Sequence, residues 1–145
     1  MAGTAVFSYE ESPSGKSVEL TWILTSDSSG NVSSPTLSQA GCTNSYQPKS
    51  PITGTIVRAE IIPGTGSVQP TDLYDVELRS QKDSTIDFLG GLGDNCSQTT
   101  TKWDMPITET NGVAVQLVVD QLIPYAANMG DSNQCTIKLL VALEA

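Results

Sequence analysis

The sequence predicts an all-β protein, an antiparallel β-sandwich or jelly-roll-like domain of about eight strands. Three observations predict it. Apolar residues recur with a period of two: Val18, Leu20, Trp22 and Leu24 alternate with Glu19, Thr21, Ile23 and Thr25. Clusters of Gly, Pro, Asn, Asp and Ser punctuate the chain between such runs. No apolar pattern of period 3.6 persists, so no helix longer than two or three turns is expected.

Taken in order, Thr4 to Tyr9 alternates polar and apolar residues, with Val6 apart from the main strands. Residues 1–16 therefore read as an extended N-terminal arm. The Val18–Leu24 strand ends in the turn cluster Ser26-Asp27-Ser28-Ser29-Gly30-Asn31. Val32 to Gln39 reads as an edge strand or a loop, and residues 41–52 as irregular, punctuated by Gly41, Pro48 and Pro51. Thr53 to Ile62 is a second strong strand. Its period places Thr55, Val57, Ala59 and Ile61 on one face, and Ile56, Arg58, Glu60 and Ile62 on the other. Pro63-Gly64-Thr65-Gly66 stops it.

Tyr74, Val76 and Leu78 alternate with Asp75, Glu77 and Arg79, a half-buried strand. Ile86 to Leu89 reads as a short strand, and Gly90-Gly91-Leu92-Gly93-Asp94-Asn95 as a glycine-rich loop needing positive φ. Lys102 to Ile107 is extended, broken by Pro106. Asn111-Gly112 signals a tight turn before Val113, Val115, Leu117 and Val119. Pro124 to Asn133 reads as a loop or helical turn. Ile137, Leu139, Val141 and Leu143 form the last strand.

The chain has 145 residues, the size of one domain, with no repeat and no linker. Sixteen acidic residues against seven basic ones give a net charge of −9. That charge repels phosphate backbones, and no basic cluster offsets it, so no nucleic-acid partner is expected. No apolar stretch is long enough for a membrane helix, and Met1-Ala2-Gly3-Thr4 does not begin a secretory signal. The sequons at Asn31 and Asn95 carry little weight without one. Cys42, Cys96 and Cys135 are odd in number and widely spaced, so free thiols are expected rather than a disulfide framework.

Catalysis is not expected. The chain has no His, which removes Ser-His-Asp and Cys-His triads and the HExxH motif. Asp72/Asp75 and Asp83/Asp87 are the paired carboxylates available for glycoside hydrolysis. They sit beside turn signals, where Asp usually accepts backbone N–H bonds. Gly90 to Gly93 lacks phosphate-loop spacing. Asp94-Asn95 and Asp131-Ser132-Asn133 are oxygen-rich but do not match a calcium loop. No cofactor and no metal are expected. Trp22 reads as core, while Trp103, between Lys102 and Asp104, reads as an exposed ring that could stack on a sugar or plug a neighbouring subunit.

Pro70-Thr71-Asp72-Leu73-Tyr74-Asp75-Val76-Glu77-Leu78, followed by Asp87-Phe88-Leu89-Gly90-Gly91-Leu92-Gly93-Asp94-Asn95, resembles a group of small virion proteins of tailed bacteriophages. These share a PTD-x-YDV-x-L strand and a D-x-LGG-x-G-x-N loop. Residues 17–31 and the closing pattern from Asn111-Gly112 onward are similar too. One departure is the long connection Gln121 to Gln134, with Pro124-Tyr125, where the family has a short N-x-G turn; it reads as an added contact surface. The resemblance implies a virion structural protein: a capsid cement or decoration protein, assembled as a homotrimer and partnered by the major capsid protein. The net acidity places it on the outer capsid surface, away from packaged DNA. A tail or neck structural protein is the runner-up, and a virion-borne carbohydrate-binding module the alternative of a different class. Subunit or capsid contacts are expected at Val6, Phe7, Tyr9, Trp103 and Tyr125.

Overall fold

The computed structural model describes residues 3–33, 36–39, 52–80, 85–106, 116–120 and 122–143. They form nine strands and one 3-10 turn at Gly66–Val68. The strands are β1 (Thr4–Glu11), β2 (Ser17–Thr25), β3 (Thr36–Gln39), β4 (Ile52–Pro63), β5 (Asp75–Ser80), β6 (Lys102–Asp104), β7 (Gln116–Asp120), β8 (Leu122–Ala127) and β9 (Gln134–Leu143). The all-β expectation holds. Seven strands make one sheet in the order β3-β1-β2-β9-β4-β6, with β7 also on β4, and β5 and β8 make a second sheet. All pairs are antiparallel except β1 with β3.

The two sheets share one core. Ala5, Phe7, Val18, Leu20, Trp22, Leu24, Ile56, Ala59, Ile61, Ile137, Leu139 and Val141 line the inner face of the large sheet. Tyr74, Val76, Leu78 and Leu122 cover them from the side of the small sheet. This is a sandwich-like arrangement of a wide layer and a narrow one. The alternation in β2 and β9 maps directly onto burial, because a strand presents alternate side chains to opposite faces.

Four expectations need correction. Thr4–Glu11 is not an arm: β1 pairs along its whole length with β2, and Phe7 is 1% exposed against Trp22, ring centroids 5.2 Å apart. In β4 the register shifts between Ile56 and Arg58. Ile56 opposes Val141 and Arg58 opposes Leu140, so Val57 is an extra residue. This β-bulge buries Ile56 and turns Val57 outward, which reverses the faces predicted for that half of the strand. Ile86–Leu89 is not a strand; Asp87 makes a single bridge to Arg79, and a series of turns follows.

Residues 122–127 are a strand rather than a loop, although Pro124 lies in their middle. Ala126 exchanges both backbone bonds with Val32, on the side away from β5. Pro124, two residues earlier, turns its missing N–H the same way, where no β5 bond is lost. The Asn111-Gly112 turn and residues 113–115 lie outside the described residues, as do residues 41–51.

Candidate functional site

β5 and the loop after it form one bonded unit. Along β5 the odd residues Asp75, Glu77 and Arg79 oppose Ala127, Tyr125 and Ile123 of β8. The backbone groups of Val76 and Leu78 face the other way, toward an open edge, and the 87–96 segment closes it. Val76 donates to Gly93 O at 2.9 Å, Phe88 donates to Leu78 O at 2.7 Å, and Cys96 donates to Tyr74 O at 2.7 Å. Gly90 takes the positive φ expected of a glycine-rich turn, at 59°. Gly93 is needed for a different reason: a Cβ there would stand 2.0 Å from Val76 O.

The carboxylates hold this unit together. Asp87 Oδ1 accepts from Leu78 N at 3.1 Å and from Leu89 N at 3.0 Å. Burial pushes its carboxyl up to about 6, against those two backbone bonds, and neighbouring Glu77 and Asp94 add to the rise. Asp75 accepts from Asn95 N and from Asn128 Nδ2. Asp72 accepts from Gln98 N. Each carboxylate of the described pairs thus has a backbone partner of the kind expected beside turns; Asp83 lies outside the described residues. Asp27 accepts from Ser29 N and Asn31 N, bonds that hold its carboxyl below the ordinary value. Among the described residues no group of three His, Cys, Asp or Glu side chains could hold a metal ion.

The predicted contact residues divide. Val6 is 43% exposed and stands directly opposite Ile23, also exposed. Ile23 opposes Thr136, Thr136 opposes Ile62, and two residues along β4 Glu60 opposes Trp103. Opposed residues share a face, so Val6, Ile23 and Trp103 lie on the outer face of the large sheet. Trp103 is the most exposed large apolar side chain among the described residues, at 66%. Tyr9 stacks on Phe7 at the rim, 6.2 Å between centroids, and is partly exposed. Phe7 itself lies in the core, so it is not available as a contact residue.

Tyr125 lies on the outer face of the small sheet. The Arg79 guanidinium sits 3.9 Å above its ring and donates from Nε to Glu77 at 2.8 Å. A cleft of about 270 Å³ opens here, lined by Asn31, Asp75, Glu77, Arg79 and Tyr125 among others. Arginine covers one face of the ring, which closes that face to a stacking ligand.

Cys96 and Cys135 are free and buried. Burial pushes the Cys96 thiol up to about 11 and the Cys135 thiol up further, so neither forms a reactive thiolate near neutral pH. Cys42 lies outside the described residues.

Sequence reasoning missed Leu73. It carries a φ of 63° and is 57% exposed. Among the described residues the other non-glycine residues at positive φ are Asn95, Asn128 and Ser132, and with Leu73 they crowd the loops at one end of the molecule. No periodicity announces such a position, because it depends on a single backbone angle.

No family model, no curated protein and no solved structure matches this chain.

Proposed function

We propose that the chain is a virion structural protein of a tailed bacteriophage, a capsid cement or decoration protein. In this reading it binds the outer face of the major capsid shell as a homotrimer and stabilises the shell. The observation that carries the reading is the bonded unit of β5 and its loop. Residues through which the sequence resembles the phage proteins depend on each other here: Asp75 on Asn95, Asp87 on Leu78, Gly93 on Val76. A resemblance spread over interlocking positions supports a shared architecture more than scattered matches would.

Two further features agree with a role played by surfaces. Exposed apolar side chains stand toward opposite sides of one sheet face, Val6 and Ile23 on β1 and β2 and Trp103 on β6, where they can meet other subunits. The carboxylates that could have formed an acid–base pair are engaged in structure, so the reading includes no catalysis. The net charge of −9 favours the outside of the shell over the side facing DNA. The carbohydrate-binding alternative calls for a cluster of exposed aromatics; among the described residues Trp103 stands apart from Tyr125, whose ring lies under Arg79.

Light scattering on the purified chain tests the assembly. A trimer is expected at micromolar concentration, shifted toward monomer by Trp103→Ala. A wild-type monomer at that concentration would remove the trimer from the reading.

A further inference from the structure

Leu73 stands where neither its backbone nor its surroundings favour leucine. A φ of 63° is left-handed, a region where a branched side chain is strained and Asn or Gly is not. Burial does not compensate, because the side chain is 57% exposed. The neighbours fix this conformation rather than the leucine. Thr71 N donates to Met129 O at 3.0 Å, Leu73 N donates to Cys96 O at 2.9 Å, and Asp72 accepts from Gln98 N at 3.1 Å. The next residue, Tyr74, is fully buried and anchors the turn. Asparagine would fit the same frame with less strain. A strained apolar side chain held outward points to a partner that receives it.

The charges around it indicate which partner. The same bonds join the 71–75, 94–98 and 128–133 segments into one surface, on which Asp72, Asp94 and Asp131 are exposed. The cation bonded there among the described residues is Lys102, whose Nζ donates to Asp94 O at 2.9 Å. Two copies meeting about a twofold axis through this end would set acid against acid, and the subunit contact of the proposed trimer lies on the Trp103 face instead. We infer that Leu73 is a contact residue for another protein, entering an apolar socket rimmed by Lys or Arg, and that this loop end is the one that seats on the shell. The inference rests on the proposed function for the identity of that surface.

The test uses shells of the encoding virus assembled without this protein, mixed with wild-type chain, Leu73→Asn or Leu73→Met and pelleted. Leu73→Asn is expected to raise the melting temperature by about 2–5 °C, since the strain is relieved. It is expected to lower shell affinity by at least ~10-fold, as loss of an apolar anchor does. Leu73→Met keeps the apolar contact and is expected to bind within about threefold of wild type. Added salt weakens all three, because the rim is charged. Leu73→Asn that binds like wild type, or that melts lower, overturns the inference and leaves the capsid reading standing. So does Leu73→Asn that pellets normally but loses its trimer, which would assign the leucine to a second copy. Wild-type chain that ignores the shell removes the capsid reading itself, and this contact with it.

Discussion

At Asp87 two demands conflict. The turn after β5 needs an acceptor for Leu78 N and Leu89 N, and a carboxylate supplies it. The position is also half-buried and close to Glu77 and Asp94, which disfavours charge. Its carboxyl titrates at about 6 in the fold, above the ordinary 3.8. A raised folded value means that the folded state holds its proton more tightly than the unfolded chain does. This contribution to stability is complete below about pH 3.8 and is lost as the pH rises through about 6. Asp87→Asn keeps the acceptor oxygen and removes the charge. It should leave stability unchanged near pH 4 and raise it by about 1–2 kcal/mol at pH 8, a figure discounted for partial exposure. Urea melts of both proteins across that range check it, and a variant less stable at pH 8 would show that the charge itself holds the loop.

The thiols give a second prediction at this scale. Cys96 and Cys135 should resist a thiol reagent in the folded protein, because burial keeps both protonated. In denaturant without reductant all three cysteines should label. Labelling of only one would reveal a disulfide.

At the scale of elements, β5 would be an unprotected edge without the loop that follows it. Gly93 is the point of closest approach, where a methyl group would strike Val76 O. Gly93→Ala should therefore destabilise the fold by about 2–4 kcal/mol, read from a shifted denaturation midpoint. An unchanged midpoint would mean that the loop can move off β5 freely.

This scale also separates what the sequence reveals from what it hides. β2, β5 and β9 were legible because each buries one whole face against the core, so period two survives from end to end. β4 was half legible: its bulge at Val57 adds one residue, and a pattern of period two has no sign for that. β8 was hidden because Pro124 reads as a breaker, yet its missing N–H falls on the side that β5 does not use. Phe7 reads as part of a free arm because the partner that buries it, Trp22, lies across a hairpin. The carboxylate positions were legible as turn acceptors, since Asp beside turn signals bonds backbone. Leu73 was not, because strain at a single φ leaves no trace in composition or spacing.

For the whole molecule, the wide sheet buries one face and leaves the other partly apolar, with Trp103 near its edge. The loop end opposite the β1–β2 turn is acidic and closely bonded. These two surfaces suit two jobs, self-association and attachment, within the proposed role. Trp103 offers a direct readout of the first, since Trp22 is buried and contributes little to quenching by solutes. Acrylamide should quench the emission of the dilute, dissociated chain strongly and that of the assembled form weakly. Equal quenching in both would move the subunit contact elsewhere.

The proposed capsid role is tested by a reconstruction of phage particles that carry this chain. Under that role, threefold density of this fold is expected on the outer surface of the capsid shell, bridging neighbouring capsomers, with the Leu73 end turned toward the shell. Density for the chain found only in the tail or neck would contradict the cement role and leave the runner-up in its place.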